Sequence, residues 1–307
     1  MANRIPRYFQ NHLFVSLPGR VESFAESLIM NGSAMRHVEI VMTKFDFCTR
    51  KRLTPLTHWT ARIALMVCAA SLGTPFSWAE AQKESDVRES SRLLAVLLDS
   101  GRVVIGRNQE LINDPDKGDK GFTPEVFAQQ TIALFKERAG HDLTNLPTAQ
   151  VPAMTKPLLE RLLEESKKTV ATYQKVINLK GMRYKGLIPA TFGTETGARF
   201  QAWSGVYLKQ TAPEHLLRNP KNKPDALEIA AMQKMGEPAF PRDGEQILSE
   251  VGDEGKSLHV YLPLFYGKAC RSCHGSPKGE RDMTGYPREG AKEGELGGAI
   301  SVKLPLP

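Results

Sequence analysis

The chain has 307 residues, 41 of them Lys or Arg against 34 Asp or Glu, for a formal net charge of +7. That length allows one or two domains with a sizeable core. Nine of the basic and four of the acidic residues fall within positions 1–79, leaving 32 against 30 beyond them, so charge gives no argument for a nucleic-acid partner.

Residues 1–41 have no clear periodicity and read as an early start-codon choice, Met35 or Met42 being better starts, or as a real N-terminal extension. Residues 42–79 read as a secretory signal peptide. Arg50-Lys51-Arg52 and Arg62 precede the apolar run Ile63–Leu72, and Ser77-Trp78-Ala79 supplies small residues at minus three and minus one. The apolar run is too short to span a bilayer, which takes about 20 residues. Cleavage is expected after Ala79 or Ala81, releasing 80–307 into the periplasm as one domain with no stable membrane span.

The mature part opens with helices. Val87, Leu93, Leu94, Val96, Leu97, Val104 and Ile105 recur at helical spacing, predicting a helix over 83–112. Asn113–Gly121 is a polar loop of turn residues. Thr123 is the expected N-cap of a second helix with Pro124 at its first position, and Gly140 its end. A Pro-containing connection over 145–155 leads to a third helix over 156–180, with Gly181 expected as its C-cap. The period then changes, and 184–192, 200–210, 258–265 and 299–306 read as strands. A short helix, 225–235, interrupts them, with Asp225 and Glu228 forming a capping box. Helices first and an antiparallel sheet second make the class α+β.

Two of the four cysteines, Cys48 and Cys68, lie in the leader, so the mature chain owns only Cys270 and Cys273, within Cys270-Arg271-Ser272-Cys273-His274. A structural zinc site needs four ligands, and no second Cys pair or His pair accompanies this one. A thioredoxin-like dithiol wants the motif at a helix N-terminus, and His274-Gly275-Ser276-Pro277 will not start a helix; a plain disulfide loop is the remaining alternative in an oxidising compartment. Cys-x-x-Cys-His is the attachment sequence of one covalently held haem c. The two thiols add across two porphyrin vinyl groups, and the adjacent His274 supplies a nitrogen as the proximal iron ligand. Export agrees, since such haem is attached outside the cytoplasm.

Further residues match a known pattern: Lys185-Gly186-Leu187-Ile188-Pro189-Ala190, then Arg218-Asn219-Pro220-Lys221-Asn222-Lys223-Pro224-Asp225 with Glu228. The Cys270–Gly275 motif and the closing Gly297-Gly298-Ala299-Ile300-Ser301-Val302 complete the set. Over 83–307 the chain resembles the single-haem, PAS-like periplasmic family long labelled a domain of unknown function, whose members occur alone or fused to sensor kinases and chemoreceptors. The resemblance implies a PAS-like antiparallel sheet flanked by N-terminal helices, with haem c near the C-terminus and redox or sensing work. With Pro307 directly after the last strand, the chain looks like the free-standing version. Some members of that family use a Cys as sixth iron ligand; this sequence departs from them, having no third cysteine after cleavage.

The sixth-ligand candidates are His141, His215, His259, Met154 and Met182, and each has an ordinary alternative: a helix-end or loop histidine, a half-buried strand histidine, a core methionine. A sixth site open to water stands beside them. Arg218 is either a clamp on a haem propionate or part of a rigid turn. Lys278, Arg281 and Arg288 read as solvated or as facing an acidic partner. Three functions are weighed. The first is an electron carrier with a redox partner protein, and the second a sensor binding a small molecule at iron. The third, a peroxidase-like enzyme, needs a distal acid/base pair for which no residues are identifiable.

Overall fold

The structure is a computed structural model and describes residues 83–307; the signal peptide, its cleavage site and the 1–41 extension lie outside the described residues.

Helix α1, Glu84–Arg107, is buried around much of its circumference, carrying Val87, Leu93, Leu94, Val96, Leu97, Leu98, Val104 and Ile105 inside. Such all-round burial belongs to a central helix, and α1 packs on three helices and on the two middle strands of the sheet. The expected helix over 83–112 is interrupted at Asn108, whose side chain donates back to the Val104 carbonyl at 2.8 Å; the short α2, Gln109–Asn113, follows. Side-chain bonding to the backbone four residues earlier competes with helix continuation at Asn.

Helix α3, Pro124–Ala139, begins and ends as expected. Thr123 accepts from the Val126 amide at 3.3 Å, and Gly140 closes it in the left-handed region at φ 75°. Helix α4, Thr155–Ile177, buries Leu158, Leu159, Leu162, Val170 and Ile177. Its C-cap is Asn178 rather than Gly181, which instead turns the following loop and donates its amide to Pro115 at 2.7 Å.

The strand expected over 184–192 is corrected, and that over 200–210 holds only from Tyr207: most of this stretch is helix α5, Pro189–Ser204. Phe192, Thr196 and Phe200, with Gly193 and Gly197 between, form its buried face at a spacing of four, a helical period hidden by aromatic and β-branched residues that also suit strands. The glycines allow close packing, since a Cβ on Gly197 would stand 2.6 Å from the Leu208 carbonyl oxygen.

Strand β1, Tyr207–Thr211, leads through the 218–225 turn to α6, Ala226–Gly236. Asp225 and Glu228 make the expected capping box, at 2.8 and 3.0 Å. Then come β2, Leu248–Gly252, an edge strand not expected from the sequence, β3, Ser257–Phe265, and β4, Leu296–Pro305. The sheet is antiparallel in the order β1-β4-β3-β2, so the class is α+β as expected. Leu258, Val260, Leu262, Ile300, Val302 and Leu304 face the helical core, while Tyr261 and Ala299 face Ala231, Met232 and Met235 of α6. Each such side chain contributes about 1.5–3 kcal/mol on burial. Both sheet faces are thus covered, and the chain between β3 and β4, residues 266–295, projects from one end of the middle strand pair. Among the described residues no helix is long and apolar enough to cross a membrane.

Candidate functional site

The excursion 266–295 is pinned where it leaves the sheet: the Tyr266 amide donates to Glu295 at 2.9 Å and the Gly294 amide to Tyr266 at 2.8 Å. Within it, Lys268–Cys270 and Arg271–His274 form two consecutive tight helical turns. Gly275 closes the second: its amide donates to Arg271 at 2.9 Å, and a Cβ there would come within 2.6 Å of the Arg271 oxygen. Cys270 and Cys273 are free thiols, both half-buried. Burial pushes the Cys273 thiol up, the reverse of the low-pKa thiolate that a redox dithiol uses. Among the described residues no three His, Cys, Asp or Glu side chains are grouped to hold a metal ion, so the motif has no partners for a structural zinc site.

His274 is half-buried, and its Nδ1 lies 2.9 Å from Glu289 Oε2. The Tyr266 ring lies beside the imidazole, centroids 4.9 Å apart and planes at 33°. Burial and the Arg218 charge push the His274 pKa down against the pull of Glu289, which favours a neutral imidazole near physiological pH. With Nδ1 turned to Glu289, Nε2 has no hydrogen-bond partner among the described residues.

Behind His274 lies a charged network. Arg218 grips Glu289 with a fork, Nε at 2.8 Å and Nη2 at 2.9 Å, while Nη1 donates to Asp282 at 2.7 Å and Nη2 to the Cys273 carbonyl at 3.0 Å. The Tyr286 hydroxyl donates to the Arg218 carbonyl at 2.9 Å. Burial raises Glu289 and Asp282, but hydrogen bonds, those from Arg218 among them, outweigh it and hold both carboxyls below their usual values. The Arg218 guanidinium, read from the sequence as either a propionate clamp or part of a rigid turn, is bonded here to two protein carboxylates. The turn reading of the same motif describes its other residues: Asn219 caps the Pro220–Asn222 turn, and buried Asn222 accepts from Thr194 at 2.8 Å. The turn places Arg218 against the Cys270–His274 turn.

The sixth-ligand candidates are dispersed. His259 is buried on β3, its Nε2 3.0 Å from Ser257 Oγ and 3.5 Å from Asp253; it precedes Phe265 by about 20 Å of strand at 3.3 Å per residue. Met154 is buried in the helical core at the start of α4. His141 follows Gly140 beyond the end of α3, and Met182 is exposed in the loop before α5. His215 is exposed and lines a cavity of 660 Å³ with Tyr266, Lys278, Arg288, Glu289 and Leu296. Of the five it is the one sharing a cavity wall with the two side chains that touch His274. Of the basic residues, Arg281 donates to the Gly285 carbonyl at 2.6 Å and Arg288 to Ser276 and Glu280, both at 3.2 Å, while Lys278 is exposed.

A family model described as Tll0287-like matches residues 80–305. The chain belongs to the Tll0287-like family. This is the resemblance carried by the motifs at 185–190, 218–225, 270–275 and 297–302. A solved structure, that of the cyanobacterial haem-protein Tll0287, is similar over 48% of this chain and 91% of its own, at 18% identity and a TM-score of 0.33. No curated protein matches the chain.

Sequence reasoning missed Glu289, Asp282 and Tyr266. Tyr266 directly follows a recognised strand, and that was its one signal. Glu289 and Asp282 sit in a glycine- and charge-rich stretch where no spacing marks them.

Proposed function

We propose that this chain is a periplasmic mono-haem c-type cytochrome that carries electrons, with Cys270 and Cys273 as the thioether anchors and His274 as the proximal iron ligand. The observation that carries the reading is one short turn holding two free, half-buried thiols and an imidazole whose Nδ1 is engaged by Glu289, leaving Nε2 for a metal. The donor set fits the group. A bound haem supplies a one-electron ferric/ferrous couple. The protein's part is to hold the His274 ring through Tyr266 and Glu289 and to keep that imidazole neutral. The antiparallel sheet with helices packed over both faces supports the PAS-like reading of the fold, and Met283 and Tyr286, exposed beside the Asp282 turn, offer apolar surface to the haem or a redox partner. Export rests on the leader sequence.

The second reading, carried from the sequence, is a sensor binding a small molecule at iron. One preparation tests both. Haem should stay with the polypeptide through acid–acetone extraction in the wild type and be absent from C270A/C273A; covalent haem in the double variant refutes the attachment. Ferrous spectra with carbon monoxide separate the functions: slow or no uptake fits a carrier, immediate uptake by a high-spin ferrous form fits the sensor.

A further inference from the structure

We propose that Glu289 is a positioning residue for the iron ligand: it fixes the tautomer of His274 and lowers the reduction potential by placing a negative charge behind the imidazole. The inference rests on the haem c reading above and deepens it.

Glu289 is not a loose surface carboxylate. The backbone holds it between two anchors, the Gly279–Arg288 bond at 2.9 Å on one side and the Ala291 amide donating to the His274 carbonyl at 2.8 Å on the other. Its carboxylate plane is set by the Arg218 fork on Oε1 and Oε2, and Oε2 also faces His274 Nδ1 at 2.9 Å. A bidentate guanidinium leaves a carboxylate little freedom to rotate. The tautomer follows: Nδ1 carries the proton and donates it to Glu289, so Nε2 keeps its lone pair. A carboxylate partner on the distal nitrogen of a metal-bound histidine makes the ring a stronger donor and favours the more oxidised metal.

The surrounding charges temper that effect. Arg218 is shared by Glu289 and Asp282, so two carboxylates face one guanidinium and the cluster keeps one net negative charge next to the ring. The competing account is that Glu289 merely anchors Arg218. Glu289→Gln separates the two: glutamine keeps the shape and an acceptor for Nδ1–H but removes the charge and one Arg218 bond, so anchoring alone predicts lost stability and the charge account alone predicts a raised potential.

The experiment is potentiometric titration of the haem-loaded wild type, E289Q and E280Q. Glu280 is an exposed carboxylate of the same segment, paired with Arg288 at 3.2 Å, and controls for removing a charge without touching His274. E289Q should shift the one-electron reduction equilibrium about tenfold toward ferrous, which is about 59 mV upward, with covalent haem retained; E280Q should shift it less than about twofold. An E289Q potential indistinguishable from the E280Q control, or shifted downward, overturns the proposal while the haem reading stands. Absence of covalent haem from the wild type overturns both. Should E289Q yield no loaded protein, proton NMR of the ferric wild type decides. A paramagnetically shifted, exchangeable Nδ1 proton of His274 that persists for minutes after transfer to deuterated solvent supports the proposal, and its immediate loss overturns it.

Discussion

Replacing Asp282 with alanine should destabilise the protein by about 3–4 kcal/mol. The Asp282 side chain has no solvent exposure and one oxygen accepts from Arg218 Nη1 at 2.7 Å. The other accepts from the Thr284 amide at 2.8 Å, the Thr284 hydroxyl at 2.7 Å and the Tyr286 amide at 3.1 Å. Removing one member of a buried ion pair costs about 3–5 kcal/mol. Here Arg218 keeps its fork on Glu289 and is 18% exposed, which places the ion-pair loss at or below the lower end. Two backbone amides then lose their acceptor, at about 1 kcal/mol each where water cannot replace it, and the 282–286 loop is mostly exposed, so that addition is partial. At about 2–4 °C per kcal/mol for a domain of this size, the melting temperature should fall by roughly 6–16 °C. Differential scanning calorimetry of the haem-loaded full chain measures it, with T284A, which loses a single hydroxyl bond worth about 1 kcal/mol, as the scale. A D282A melt within about 2 °C of wild type, or no lower than T284A, would refute the claim that this buried carboxylate holds the Arg218 turn together.

The same residue sets an acid limb. Although burial raises Asp282, bonds from Thr284 and Arg218 lower its pKa in the folded state, so the unfolded chain takes up the proton first; the contribution is complete above about pH 4 and is lost as pH falls through the folded value. Urea midpoints measured from pH 6 down to 3 should drop, and D282N should flatten that slope; parallel curves for the two proteins would contradict it. Because His259 is engaged by Ser257 and Asp253 at the far end of β3, H259A should leave the ferrous spectrum and its carbon monoxide response unchanged. A newly opened iron in H259A would place that histidine at the haem after all.

The sequence by itself determined the features whose bonds close within a few residues. Cys270, Cys273 and His274, the residues of the proposed haem attachment, share one short turn because they are neighbours in the chain. The Thr123 and Gly140 ends of α3 and the Asp225–Glu228 box of α6 were readable for the same reason: a cap bonds to an amide three residues on. The inner strands β3 and β4 were visible through long apolar alternation. Five-residue β2 was not, because a partly exposed edge strand has no buried stripe to show. Helix α5 was misread because Thr191, Phe192, Thr194, Thr196 and Phe200 suit a strand, and its narrow face of Phe192, Thr196 and Phe200 gains meaning only against α1 and β1. Tertiary structure alone decided what stands behind His274. Glu289 follows it by 15 residues and Arg218 precedes Cys273 by 55. No local period links such positions, since they meet only when the β1-to-α6 turn and the β3-to-β4 excursion are brought side by side by an antiparallel sheet.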